Sequence, residues 1–119
     1  MPKRAKRAGA VAARVSYPAY VTPFVCLVEL ELHWNDSGSL KGKRKELQSL
    51  KTMLRQRFGA SVAEVGGQDT WQRAALLCSL VGDAAVGDRG AELARFAESR
   101  CPEGCSARID VLSLRDLRD

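Results

Sequence analysis

Residues 24–34, FVCLVELELHW, alternate along most of their length. Cys26, Val28, Leu30, Leu32 and Trp34 fall on one side, and Glu29, Glu31 and His33 on the other. A period of two marks a half-buried strand. Such a strand commits the chain to a sheet with one covered face, and helices from elsewhere in the chain must supply the cover. Glu29, Glu31 and His33 could be read as metal ligands. Polar residues on one strand face are ordinarily a solvated surface, and no metal or other cofactor is expected.

A helix comes next. Asn35-Asp36-Ser37-Gly38 is a turn, and Ser39 is a fitting N-cap. Leu40, Leu47, Leu50, Leu54 and Phe58 recur at helical spacing as a buried stripe, and Gly59 suits the position just past the helix end. Lys41, Arg44, Lys45, Lys51 and Arg55 cluster on an adjoining face. The first turn breaks local rules. Lys41, Lys43 and Arg44 sit where the helix dipole disfavours cations by roughly 0.3–1 kcal/mol each. Gly42 costs a further ~1 kcal/mol relative to alanine. Such violations often mark functional sites, and the free N–H groups of a helix start favour anions. A phosphate pocket built from Lys41, Lys43 and Arg44 is the expectation. The competing reading is a solvated lysine-rich face.

Residues 60–65, ASVAEV, read as a short strand, Gly66-Gly67 as a turn, and residues 71–81 as a longer strand. Gln68, Asp69, Gln72 and Arg73 surround Trp71. Trp71 suits either stacking on a base or, more often, packing at a sheet edge. Gly82-Asp83 breaks the strand. Residues 84–99 suit a second helix with Val86, Leu93, Phe96 and Ala97 as its apolar side, weakened by Gly87 and Gly90. CPEGC is a turn, and residues 107–114 read as a last strand in which Ala107, Ile109 and Val111 oppose Arg108 and Asp110. The order β-α-β-β-α-β predicts an α+β, ferredoxin-like fold: a four-stranded antiparallel sheet with two helices on one face. Residues 1–23 are expected to be a disordered basic tail, 24–114 the domain and 115–119 a charged end.

Charge matters here by its placement. The 119 residues carry a net +5. Residues 1–14 hold five basic groups and no acid, and residues 41–57 hold seven and one acid, Glu46. These segments carry +11 between them, leaving −6 elsewhere. A basic helix on an acidic remainder points to a polyanionic partner. No apolar run approaches the ~20 residues of a membrane helix, and AGAVAA is too short for a signal-peptide core. Of the four cysteines, Cys26 and Cys78 sit inside strand patterns, where buried thiols are ordinary. Cys101 and Cys105 frame the CPEGC turn, and whether they pair is left open. With His33 the single histidine, neither a zinc site nor a Cys-His or Ser-His-Asp arrangement can be placed, and no enzyme activity is expected.

The run SLKGKRKELQSLKTMLRQRFGASVAEVGGQDTWQRA resembles the YlxP-like family of small bacterial proteins. The matching positions are Ser39, Leu40, Lys41, Lys43 and Arg44, then Arg57 and Phe58, then Val62 to Val65, then Gln68, Asp69, Trp71, Gln72 and Arg73. Gly42 departs from the family, where this position is often acidic. The resemblance spans roughly residues 24–113 and omits the tail. Val21 is a residue that an alternative bacterial start codon encodes, so a start there is the competing reading of residues 1–20. The resemblance implies a ferredoxin-like fold and, through neighbouring translation genes, a cytoplasmic accessory role at the ribosome. RNA or the small ribosomal subunit is the expected partner, without membrane or small-molecule substrate. Lys41, Lys43, Arg44, Lys45, Lys51, Arg55, Gln72 and Arg73 are the candidate phosphate contacts. The alternative is a protein-interaction module or homodimer using the open sheet face, with Glu29, Glu31 and Glu64 as acidic contacts.

Overall fold

The computed structural model describes residues 16–34, 40–66, 72–101 and 104–118. Strand β1 spans Phe24–His33, helix α1 Leu40–Phe58, β2 Ser61–Gly66, β3 Arg73–Gly82, helix α2 Val86–Arg100 and β4 Cys105–Ser113. A five-residue helix α3, Leu114–Arg118, closes the described chain. The four strands form one antiparallel sheet in the order β2-β3-β1-β4. This is the expected α+β, ferredoxin-like architecture. Ser39, Gln68, Asp69, Trp71 and the basic segment 1–15 lie outside the described residues.

The alternation of β1 sets the two faces. Cys26, Val28, Leu30 and Leu32 are essentially inaccessible and pair with Leu80, Cys78, Leu76 and Ala74 of β3. Both helices cover this face, and Leu47, Leu50, Leu54 and Phe58 of α1 meet Val86, Leu93 and Ala97 of α2 in one core cluster. Gly59 adopts φ 65° and donates its N–H to the Arg55 carbonyl at 3.0 Å, ending α1 as its position in the sequence suggests. Between β3 and α2, the Ala85 N–H donates to Asp83 Oδ1 at 2.9 Å, and the Val86 N–H to the Asp83 carbonyl at 3.0 Å. An aspartate turn therefore launches α2.

Two local features depart from the expectation. Gly90 strengthens the packing of α2, because a Cβ there would overlap Cys26 Sγ, and so its absence lets the helix lie against β1. The charged end is partly helical because Ser113 and Asp116 cap each other. The Asp116 N–H donates to Ser113 Oγ at 3.0 Å, and the Ser113 N–H to Asp116 Oδ2 at 3.2 Å. Residues 113–116 thus make a reciprocal box of the S-x-x-acid kind.

Candidate nucleic-acid interface

Helix α1 has no acid in its first turn and ends on Arg55 and Arg57. Its 3.6-residue period sorts its cations onto three sides. One side faces the core, one faces β2, and the third faces solvent and α2.

Lys43 falls on the core side, one turn before Leu47, and is 1% exposed. Its ammonium donates to the Arg73 carbonyl at 2.6 Å. The geometry of β3 explains this partner. The neighbouring Gln72 carbonyl accepts from the Trp34 N–H at 2.8 Å, on the β1 side. Successive carbonyls along an extended chain point opposite ways, so that of Arg73 points toward β2. Strand β2 has already ended, since its last pairing is Gly66 with Ala75. Lys43 supplies the donor that a longer β2 would have supplied. The expectation that Lys43 contacts phosphate is corrected: its charge is spent inside the fold.

Arg44 and Lys51 face β2 and share Glu64. Arg44 Nη1 lies 3.0 Å from Glu64 Oε1, and Lys51 Nζ lies 3.8 Å from the same oxygen. Glu64 pairs with Leu76, which faces the core, so its side chain lies on the helix-covered side of the sheet. This corrects its expected place on the open face. Arg55 Nη2 donates to the Val62 carbonyl at 3.0 Å and remains exposed. Arg73 is in register with His33, one position from the buried Ala74, so its side chain stands on the open sheet face, away from α1. The expected convergence of Arg73 with the basic helix is therefore also corrected. Gln72, the residue before it, is exposed. Among the described residues Lys41, Lys43 and Arg44 do not share one pocket, because these three side chains have different surroundings.

The solvent side keeps Lys41 and Lys45 exposed, together with Arg57. Arg57 reaches the α2 seam, where its guanidinium lies 4.7 Å from the centre of the Phe96 ring. Arg100 approaches the same ring at 5.4 Å. Arg100 and Phe96 are an i,i+4 pair on α2, a spacing legible in the sequence, yet neither Arg100 nor Arg57 stands among the phosphate contacts expected from sequence. A groove of about 600 Å³ lined by Lys45, Glu46, Ser49, Arg100 and Trp34 among others brings Lys45 of α1 and Arg100 of α2 to one site. Lys45, Arg100 and Arg57 thus lie around the α1–α2 seam, with Lys41 exposed one turn before Lys45 and Glu46 among them.

All four cysteines are thiols, with Cys26, Cys78 and Cys101 buried and Cys105 half-buried. Burial pushes the Cys78 thiol up to about 11 from its usual 9.0 and raises Cys26 and Cys105 as well. A raised thiol pKa leaves little thiolate near neutrality, so these three are poor nucleophiles. The stability contribution from Cys78 is complete below pH 9, where the unfolded thiol is also neutral, and is lost as pH rises from 9 toward 11. Chemical denaturation at pH 8 and pH 11 should show Cys78→Ala losing about 2–3 kcal/mol less than the parent chain over that interval. An equal loss in both would remove the assignment. Among the described residues no group of three His, Cys, Asp or Glu side chains is placed to hold a metal.

These features define a small ferredoxin-like α+β sandwich with a cationic helix layer. The chain belongs to the family described as "Protein of unknown function (DUF503)", which matches residues 25–102. It is 50% identical over 38 residues to the "Uncharacterized protein YlxP" of Bacillus subtilis (strain 168), a stretch covering 32% of this chain and 41% of that relative. Two solved structures are also similar. One is the de novo designed protein Foldit4, at TM-score 0.48 and 6% identity over 76% of this chain and 96% of that one. The other is the de novo designed protein Ferredog-Diesel, at TM-score 0.47 and 11% identity over 89% of this chain and 99% of that one. Among the described residues no helix is long and apolar enough to cross a membrane.

Proposed function

We propose that the protein is a non-catalytic, cytoplasmic accessory factor of bacterial translation or ribosome maturation that contacts RNA phosphates through the solvent side of α1. One observation carries the reading: Lys41, Lys45, Arg55 and Arg57 are all exposed along a single helix whose first turn holds no acid. The open sheet face carries charge of both signs, with Glu29, Glu31 and Asp110 beside Arg73 and Arg108, and so offers a polyanion no comparable basic strip. No Phe, Tyr or Trp stands on the described open face and His33 is its single ring, so backbone contact rather than base stacking is the mode proposed.

Binding to purified small ribosomal subunits across a salt series tests the proposal. Replacing Lys41, Lys45 and Arg57 together with glutamine should weaken binding and flatten the logarithmic salt dependence by roughly 2–3, close to one for each phosphate no longer neutralised. An unchanged affinity and slope would rule out α1 as the binding surface. The same series with residues 1–20 removed separates the folded helix from the basic segment before it.

A further inference from the structure

The open face of the sheet is unlike the helix-covered one in an informative way. Val25, Leu27, Leu77 and Leu112 are only partly covered, and Val81 and Val65 are 72% and 56% exposed. The exposure of Ile109 and Val111 is a separate matter, because they pair with Val28 and Cys26 and belong to the edge of the covered face. The apolar end of the open face is formed by Val25, Leu27, Val81 and Leu112. Its other end carries Glu29, Glu31, His33, Arg73 and Arg108. Contiguous exposed apolar surface with a charged margin is the usual form of an interaction site.

We infer that this face is a two-fold interface with a second copy of the chain. The register supports a self-complementary fit. A two-fold axis parallel to the strands, between β1 and β3, sets β1 of one copy across from β3 of the other, row by row. Val25 then meets Val81, Leu27 meets Ser79, and Glu29 meets Leu77. Arg73 of the second copy falls across from His33, one row from Glu31. In the same frame β4 lies across from β2, placing Asp110 against Ser61 and Arg108 against Ala63. Among the described residues no carboxylate faces another carboxylate, and the two copies present both signs of charge to each other. Sheets pack in this way at ~10 Å separation, with their strands within about 30° of parallel. Strands ~4.8 Å apart and row spacings of ~6.8 Å give a face of about 500 Å² per copy, near the lower bound for a specific interface, which suits a reversible dimer. The interface leaves α1 of both copies turned outward, so it stands or falls separately from the RNA reading.

Light scattering on the full chain over a concentration series tests it. The expected mass moves from the 13.0 kDa of one chain toward twice that value at higher concentration. Val65→Asp with Val81→Asp, both at exposed positions, should weaken dimerisation at least tenfold while leaving the circular dichroism spectrum unchanged. Glu31→Arg should also weaken it, and adding Arg73→Glu should restore it. A monomer at every concentration overturns the inference and leaves the face to residues 1–15 or to a different protein. A dimer indifferent to the valine substitutions overturns it equally.

Discussion

Lys43→Glu should unfold the domain or lower its melting temperature by at least about 15 °C, whereas Lys41→Glu should shift it by no more than about 2 °C. The two positions are separated by Gly42 alone, and both lysines are in the first turn of the same helix. Their environments differ: Lys41 is exposed, while Lys43 is 1% exposed with its ammonium on the Arg73 carbonyl. A carboxylate at position 43 would face that carbonyl oxygen with its own charge buried. Breaking a buried charged contact costs about 3–5 kcal/mol, a large share of the 5–15 kcal/mol that holds a domain folded. Lys43→Met is the informative control. It keeps most of the aliphatic stem and removes the donor, so its cost should be that of an unsatisfied buried carbonyl, about 1–3 kcal/mol. Thermal unfolding followed by circular dichroism checks all three variants. Equal melting temperatures for the two glutamate variants would show that Lys43 is on the surface. Any test of RNA binding must leave Lys43 in place, since a variant altered there would fail to bind because it fails to fold.

Gly90→Ala should destabilise the protein by about 1–3 kcal/mol even though alanine is the better helix former by about 1 kcal/mol. The new methyl would overlap Cys26 Sγ, which is fully buried near the start of β1. Contact with Val28 Cγ2, at 3.4 Å, is ordinary, so Cys26 is the principal obstacle. Cys26→Ala removes that sulfur. The double substitution should therefore be more stable than the sum of the single effects, with a coupling of about 1–2 kcal/mol. Urea denaturation of the four proteins in the cycle measures it. Additive effects, or a stabilised Gly90→Ala, would show that α2 does not need a glycine to approach the sheet.

The difference between Lys41 and Lys43 also shows how far periodicity carries. The stripe was legible at Leu47, Leu50, Leu54 and Phe58, all buried in the structure. Position 43 fits the same spacing, one turn before Leu47, and the pattern alone could have placed it inside. What hid it was residue type, because lysine is almost never fully buried without a partner. That partner is a backbone carbonyl 30 residues away, beyond the last described pairing of β2 with β3. The Glu64 side was hidden for a related reason. An alternating strand shows which residues share a face, but in the short ASVAEV run both faces hold small or apolar residues and the pattern does not say which faces the helices.

Local chemistry alone determined the order of strands and helices, the glycine end of α1, the turn before α2 and the asymmetry of charge. Each follows from residues close together in the chain, through period, capping or turn geometry. Tertiary structure alone decided which cations remain available. Seven basic residues in 41–57 look equivalent along the sequence. Folding buries Lys43, ties Arg44 and Lys51 to Glu64, turns Arg55 toward Val62 and brings Arg57 to the same ring as Arg100. The physical reason is that a charge is neutralised by whatever distant chain packs against it, and that neighbour is chosen by the sheet order β2-β3-β1-β4 rather than by anything adjacent in sequence.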